Sequence, residues 1–188
     1  MTRKLILVAI AFLTGCARLP PVQVLNPPKS QAVAVVFDID GTLTPDVNSF
    51  NEVRPDAANA VRSYSEKGYK VIYLSTRISF LQEKIPSWLK ENGFPESSIH
   101  LAQNNEDDND PAAFKLRIMK QYQAQGWQLV GGYGDSSTDF DAYAKAGIPK
   151  SQVFALQRRG EMTCRPGLWQ ECLPGWTNHL SFIDSRRD

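Results

Sequence analysis

Apolar residues in this 188-residue chain fall into short runs that alternate with longer segments of helical period. The short runs predict strands near 32–38, 70–75, 98–101, 128–133 and 152–155. Apolar positions three and four residues apart predict helices near 55–67, 79–92, 111–125 and 138–146. This alternation predicts an α/β fold with a central parallel sheet. The acidic segment 104–110 is expected to be a solvated loop, with Ca²⁺ binding as the alternative.

The first predicted strand runs directly into two carboxylates. Residues 32–37 are apolar, Asp38 and Asp40 follow, and Gly41 interrupts the strand. Open α/β sheets bind their ligands at the carboxyl ends of their strands. Because Asp38 and Asp40 are two residues apart, strand geometry points them the same way, so that one can bind a metal and attack while the other handles a proton. The alternative is that both acids only serve a turn, since Asp-x-Asp-Gly is also good turn chemistry.

The second predicted strand ends in hydroxyl groups. Ser75 and Thr76 follow the apolar run, and Arg77 comes next. Hydroxyls and free backbone N–H groups at a strand end can cradle phosphate oxygens. The alternative is that Ser75 or Thr76 caps the following helix. Arg77 could clamp a phosphate or lie in solvent.

Later segments add a lysine and two further acids. Lys115 lies at the start of a predicted helix, where a cation gains nothing from the helix dipole, so it is expected to face an anion unless it is a plain surface residue. Asp135 and Asp139 follow a strand with glycines and bracket a turn that enters a helix. They could join the earlier acids around a hard cation such as Mg²⁺, or Thr138 or Asp139 could cap a helix.

The N-terminus resembles a bacterial lipoprotein signal. Basic residues precede the apolar stretch 5–13, and Leu13-Thr14-Gly15-Cys16 resembles a lipobox in which Cys16 is lipidated. We therefore expect a signal peptide over 1–15, a proline-rich tether over 16–30 and one domain over 31–188. Ala17 and Arg18 resemble the sorting pattern of lipoproteins in the outer membrane, facing the periplasm. The lipid anchor would make the membrane a partner.

Composition narrows the remaining classes. The net charge is only +1, so no broad basic face indicates nucleic-acid binding. Export would allow Cys164 and Cys172, in the tail 160–188, to form a disulfide, although two free thiols are the alternative. The oligomeric state is left open.

Taken in order, these motifs resemble the haloacid dehalogenase (HAD) superfamily of phosphatases over residues 32–160. Motif one falls on residues 38–42, motif two on Ser75, motif three on Lys115 and motif four on residues 134–139. Within the superfamily, the flanking residues are most similar to lipins and to the C-terminal domain of membrane-associated phosphatidylinositol transfer proteins. The stretches that carry this similarity are Val53–Pro55, Gly68–Arg77, Phe114–Lys115 and Tyr133–Pro149.

The resemblance implies a HAD-like Rossmannoid three-layer sandwich, with a central parallel sheet and no large cap domain. It also implies an enzyme in which Asp38 forms an aspartyl-phosphate and Asp40 acts as general acid and base. Mg²⁺ would be held by Asp38, the Asp40 carbonyl, Asp135 and Asp139. The residues expected to hold the phosphoryl oxygens are Ser75, Thr76 and Lys115.

The substrate expected from this resemblance is a phosphorylated lipid. Lipins are phosphatidate phosphatases, whereas the transfer-protein domains are regarded as phosphatidate binders without a complete motif one. Because this chain keeps both Asp38 and Asp40, it resembles the active branch. No cap domain fits between the motifs, and an open site suits a phosphate presented on a membrane. The alternatives are a broad-specificity periplasmic acid phosphatase and a non-catalytic phosphatidate-binding module.

Overall fold

The computed structural model of the protein describes residues 18–29 and 32–186, and a parallel sheet of six strands lies at its centre. The strands are β1 (Val33–Asp38), β2 (Lys70–Ser75), β3 (Ser98–Leu101), β4 (Gln128–Gly134), β5 (Val153–Leu156) and β6 (Glu171–Leu173). Their order across the sheet is β3-β2-β1-β4-β5-β6, and every neighbouring pair is parallel. All strands therefore end at one edge, the carboxyl edge. The predicted α/β fold is confirmed.

Seven α-helices are present in the described part of the chain. They are α1 (Ala57–Glu66), α2 (Ser79–Gln82), α3 (Ile85–Glu91), α4 (Asn105–Asn109), α5 (Pro111–Ala124), α6 (Ser137–Ala146) and α7 (Leu180–Ser185). The prediction of one helix over 79–92 was wrong, because a break separates α2 from α3 and Pro86 lies in the first turn of α3. The prediction of a loop over 104–110 was also wrong. Asn104 accepts a hydrogen bond from the Asp107 N–H and so caps α4.

Two apolar layers cover the two faces of the sheet. Along β1, Val35 and Phe37 point to a cluster that contains Tyr64, while Ala34 and Val36 point to a second cluster on the opposite face. Successive side chains of a strand alternate between faces, so a central strand that is buried on both sides is apolar at every position. The result is the expected sandwich of helices, sheet and helices.

No separate cap domain covers the carboxyl edge in the described residues. The connection from β1 to α1 spans only residues 39–56, and the connection from β2 to β3 spans 76–97 and contains just the short helices α2 and α3. An independent domain needs on the order of 50 residues. The edge where the predicted catalytic residues lie is therefore open.

The tail adds to the core. Trp176 is fully buried and donates a hydrogen bond to the Thr42 carbonyl at 3.2 Å. Cys164 and Cys172 form a disulfide whose Cα atoms are 5.7 Å apart. The strand β6 and the helix α7, which the sequence patterns did not predict, both belong to this tail.

Residues 18–29, within the predicted tether, lie against the domain. The Arg18 guanidinium donates to the Ala102 carbonyl at 2.7 Å, and the Trp127 indole donates to the Leu25 carbonyl at 2.8 Å. The predicted signal peptide 1–15 and the lipidation site Cys16 lie outside the described residues. Among the helices of the described chain, none has the length and apolar character needed to cross a bilayer.

Candidate active site

Three buried aspartates meet at the carboxyl edge. Asp38 is the last residue of β1, Asp135 directly follows β4, and Asp139 lies in the first turn of α6. One carboxylate oxygen from each residue lies within 4.8 Å of those from the other two. Because β1 and β4 are neighbours in the parallel sheet, their carboxyl ends bring these distant parts of the sequence together.

A glycine allows the close approach of Asp38 and Asp135. Gly41 has φ +80°, a conformation that side chains disfavour, and a Cβ atom added there would lie 1.9 Å from Asp135 Oδ2. The glycine that interrupts β1 therefore has two roles, because it turns the chain and leaves room for the Asp135 carboxylate.

Lys115 reaches into the same cluster from the second turn of α5. It is 3% exposed, its Nζ lies 2.5 Å from Asp38 Oδ1, and it also donates to Asp139 Oδ1. Burial alone would lower the pKa of Lys115, but the charges of Asp139 and Asp38 outweigh it and raise the pKa above its ordinary value. Lys115 is thus a buried ammonium that faces anions.

Burial and the nearby carboxylates raise the pKa values of Asp38 and Asp135. Burial raises the pKa of Asp38 well above its ordinary value, against the lowering effect of the Lys115 charge. Burial and the Asp139 charge raise the pKa of Asp135 to about 7, although Arg158 lowers it. Such shifts mark a place where negative charge is held at a cost and where a cation is stabilised.

Arg158 is a member of the site that the sequence patterns did not indicate. It lies two residues after β5, and its Nε donates to Asp135 Oδ2. Lys115 and Arg158 therefore provide two positive charges for three aspartates. Arg158 and its neighbour Arg159 lie in a polar segment that carries no periodic signal, so only the folded sheet reveals the place of Arg158.

Asp40 has different partners from Asp38. Its Oδ1 accepts hydrogen bonds from Arg77 Nε at 2.9 Å and Nη2 at 2.6 Å, and its Oδ2 accepts one from Ser75 Oγ at 2.7 Å. Because β1 ends at Asp38, the alternation of the strand does not govern the direction of Asp40. Thr76 is half-buried beside this group. The side chain of Asp40 is thus held at β2, next to the aspartate cluster.

The alternative reading of these residues as helix caps was wrong in two places. Ser136, and not Thr138 or Asp139, is the N-cap of α6, although Asp139 completes the capping box with it. The residue before α2 is Ile78, so neither Ser75 nor Thr76 caps that helix. Asp139 combines its role in the capping box, through Oδ2, with the contact of its Oδ1 to Lys115.

Arg54 fixes the loop that follows β1. Its guanidinium is buried and donates to the carbonyl groups of Gly41 and Gln157 at 2.7 Å and of Thr44 and Pro45 at 3.0 Å. The loop that carries Asp40 is thereby joined to the segment after β5 that carries Arg158. No pattern in the sequence indicates this role for Arg54.

The residues of the cluster suit a hard divalent cation. Mg²⁺ prefers oxygen ligands and is usually bound by one or two carboxylates together with water and substrate phosphate oxygens. Asp38, Asp135 and Asp139 supply such oxygens from a buried and electronegative place. The cluster therefore fits Mg²⁺ chemically.

The sequence matches a known domain family. The family model described as "PITM 1-3, LNS2 domain" matches residues 35–157, which include every residue of the cluster. The chain is 30% identical over 128 residues to membrane-associated phosphatidylinositol transfer protein 3 of Mus musculus, and this alignment covers 66% of this chain and 13% of that protein. It is also 30% identical over 139 residues to protein retinal degeneration B of Drosophila melanogaster, and this alignment covers 72% of this chain and 11% of that protein. The alignments thus span only a small part of these relatives.

Solved structures share the fold at low sequence identity. A D,D-heptose 1,7-bisphosphate phosphatase from B. bronchiseptica, complexed with magnesium and phosphate, aligns with a TM-score of 0.57 at 16% identity and covers 81% of this chain and 98% of that one. A phosphoserine phosphatase from T. onnurineus aligns with a TM-score of 0.51 at 16% identity, and the alignment covers 86% of this chain and 98% of the phosphatase chain. The fold of this chain is therefore the HAD-like fold found in phosphatases. By its sequence, the chain belongs to the PITM 1-3 LNS2 domain family.

Proposed function

We propose that this protein is a Mg²⁺-dependent phosphomonoester hydrolase that forms an aspartyl-phosphate at Asp38. The observation that carries the proposal is the buried group of Asp38, Asp135, Asp139 and Lys115 at an open carboxyl edge. A nucleophile, a cation site and a fixed ammonium are the parts that phosphoryl transfer requires.

Asp38 is the nucleophile in this proposal. Thr42 Oγ1 donates to Asp38 Oδ2 at 3.1 Å, while Lys115 holds Oδ1. These contacts fix the direction of the carboxylate before substrate arrives, which lowers the entropic cost of the attack. An Asp38 oxygen forms a bond to phosphorus as the bond to the leaving oxygen breaks. The Lys115 ammonium stabilises the negative charge on the transferred group.

Asp40 is the general acid and base. It would give a proton to the leaving oxygen and later take one from the water that hydrolyses the aspartyl-phosphate. Both of its oxygens are engaged by Arg77 and Ser75, so these contacts must be exchanged before Asp40 can donate a proton. Ser75 and Thr76 then become available to phosphoryl oxygens. This exchange couples substrate binding to release of the acid.

Asp38, Asp135, Asp139 and the Asp40 carbonyl would hold Mg²⁺. The ion would supply positive charge to phosphoryl oxygens during transfer. Arg158 and Lys115 partly neutralise the same carboxylates in this structure. We therefore expect Arg158 to give up its contact with Asp135 when the cation binds.

A lipid phosphate such as phosphatidate is the proposed substrate. Relatives that match over this domain are named as membrane-associated phosphatidylinositol transfer proteins, which supports a link to lipids. The open carboxyl edge supports a phosphate presented by a large object rather than an enclosed metabolite.

We propose that the protein is exported and anchored through Cys16 at the bacterial outer membrane, facing the periplasm. The lipobox at residues 13–16 supports this location. The disulfide between Cys164 and Cys172 also supports it, because disulfides persist in oxidising compartments.

The test is phosphate release by Asp38→Asn, with Asp141→Asn as the matched control. Asp141 is an exposed acid that pairs with Lys145 on α6 and lies outside the cluster. We expect the kcat of Asp38→Asn to fall at least about 1,000-fold, because the asparagine carboxamide cannot form the acyl-phosphate. The urea midpoint of unfolding should stay near that of the parent. Asp141→Asn should retain full activity. Retained turnover in Asp38→Asn would overturn the mechanism.

The substrate class is decided by two substrates offered side by side. Phosphatidate in phosphatidylcholine vesicles and soluble p-nitrophenyl phosphate are compared with Mg²⁺ and with EDTA. Faster release from phosphatidate supports a lipid phosphatase, and release from the soluble ester alone indicates a broad-specificity acid phosphatase. Vesicle binding that persists in EDTA without any phosphate release indicates a binding module, which the family match makes the second candidate.

A further inference from the structure

Exposed apolar side chains flank the candidate active site. Ile78 and Phe80, in the connection after β2, are 49% and 62% exposed. Met162, in the connection after β5, is 92% exposed. In the sheet order β3-β2-β1-β4-β5-β6, these two connections lie on opposite sides of β1 and β4, which lead into the aspartate cluster. Large apolar side chains in water around a site are typical of an interaction surface.

Both connections are fixed at the carboxyl edge. Gln82 of α2 is buried and donates to the carbonyl groups of Arg77 at 2.8 Å and Ala102 at 3.1 Å, just beyond the ends of β2 and β3. On the other side, the Glu161 N–H donates to the Arg158 carbonyl at 3.1 Å in the turn that precedes Met162. Since Arg158 also contacts Asp135, this turn lies at the site.

The N-terminal segment leads to the same edge. The Ala102 carbonyl that accepts from Gln82 also accepts from Arg18, and Arg18 forms an ion pair with Asp108 at 2.6 Å. Leu25, farther along the segment, lies at the opposite edge, because its carbonyl accepts from Trp127 just before β4 begins. The described N-terminal segment therefore begins at the carboxyl edge. Cys16 is two residues earlier, within about 7 Å of chain.

We propose that the carboxyl edge is the face that docks on a lipid bilayer, with Ile78, Phe80 and Met162 entering its interface on either side of the aspartate cluster. The occupant is the bilayer surface because the N-terminal segment begins at this edge and the proposed acyl anchor lies within two residues of it. The inference deepens the proposed function and rests on it for the anchor. It gives the open site a cover, namely the membrane that presents the substrate.

Apolar contact, rather than charge, would hold this face to the bilayer. The arginines at its rim are already paired with acids: Arg18 with Asp108, and Arg159 with Asp46 and Glu52. Exposed charges are screened by salt, whereas burial of apolar surface is not. We therefore expect the orientation to persist between about 0.1 and about 0.5 M NaCl.

The experiment places one fluorescent label at a time on the full lipidated chain in phosphatidylcholine vesicles with phosphatidate. Phe80→Cys, Met162→Cys and Leu25→Cys each receive an environment-sensitive dye, and the parent chain gives the background labelling. Leu25 is the matched control, since it is 67% exposed but lies at the opposite edge. Nitroxide lipids should quench the labels at 80 and 162 at least about threefold more than the label at 25. Equal quenching, or stronger quenching at 25, would overturn the proposal.

Activity separates this proposal from the proposed function. The double variant Ile78→Ser and Phe80→Ser should hydrolyse p-nitrophenyl phosphate at the parent rate and phosphatidate in vesicles at least about tenfold more slowly, because fewer apolar groups enter the interface. An equal rate on vesicles would contradict the docking face. A parent protein that hydrolyses neither substrate would end the proposed function, while the quenching pattern would still decide the orientation.

Discussion

Replacement of Arg54 by methionine tests how the loop that carries Asp40 is held. Arg54 donates to four backbone carbonyls, at distances of 2.7–3.0 Å, from residues 41, 44, 45 and 157. Methionine keeps much of the side-chain volume but donates no hydrogen bond. The carbonyls of Gly41, Thr44 and Gln157 lose this donor in a single substitution, whereas the Pro45 carbonyl keeps its hydrogen bond from the Arg159 N–H. The loss is costly because the Gly41 and Thr44 contacts are buried.

The magnitude follows from the contacts. Hydrogen bonds from a charged donor contribute about 1.5–3 kcal/mol each, but the substitution also relieves the guanidinium of its desolvation, and loop carbonyls can regain water. We expect a net loss of about 3 kcal/mol in the free energy of unfolding, the lower end of the range for breaking a buried charged network. For a protein of this size, that loss lowers Tm by roughly 6–12 °C.

Urea denaturation followed by tryptophan fluorescence measures this loss, because buried Trp176 donates to the Thr42 carbonyl in the same loop. Arg62→Met is the matched control, since Arg62 is exposed and its Nη2 donates to one carbonyl, that of Gly93, at 2.7 Å. The control should change stability by less than about 0.5 kcal/mol. If Arg54→Met costs under about 1 kcal/mol, or no more than the control, then the four contacts do not hold the loop.

Two further predictions concern the site and the core. Gly41→Ala should reduce kcat at least about 100-fold, because the added Cβ would collide with Asp135 Oδ2. Gly147→Ala is the control, since Gly147 has φ +85° and its added Cβ would meet no atom within 4 Å, so it should lose only about 1–2 kcal/mol of stability and keep its turnover. Equal activity in the two variants would contradict the predicted collision. Burial, together with the Lys70 charge, lowers the pKa of His100 from about 6.5 to about 4. Only the unfolded chain then binds this proton between those pH values, so His100 alone should lower the free energy of unfolding by up to roughly 3 kcal/mol as the pH drops from about 6.5 to about 4. Urea midpoints at both pH values should show a smaller fall in His100→Gln, and an unchanged fall would refute the assignment.

The fold could be predicted because its main strands are short apolar runs buried on both faces. All five predicted strands occur near their predicted positions, and Asp38 and Asp40 lie at the carboxyl end of β1 as expected. The signal fails where an element is too short to show a period. Strand β6 has three residues in a segment rich in glycine and proline, and α7 has six.

The site was predicted in part, since its residue types were visible but their partners were not. Asp38, Lys115, Asp135 and Asp139 come together as charged residues at strand ends and helix starts. Arg54 and Arg158 are different, because Arg54 donates to backbone carbonyls, which every residue carries, and Arg158 pairs with a carboxylate on another strand end. The polar segments that hold these arginines give no period or spacing from which such contacts could be inferred.

The first and the last described residues, Arg18 and Arg186, lie at opposite edges of the sheet, which matters for how the protein is handled. Arg18 lies beside the aspartate cluster's edge, whereas the carbonyl of Ile183 accepts from Lys67 at the end of α1, where the strands begin. A purification tag or fluorescent fusion joined at residue 18 would lie at the carboxyl edge and could contact substrates of the candidate active site. The same fusion joined after residue 186 would lie at the opposite edge, so this is the better position for a reporter.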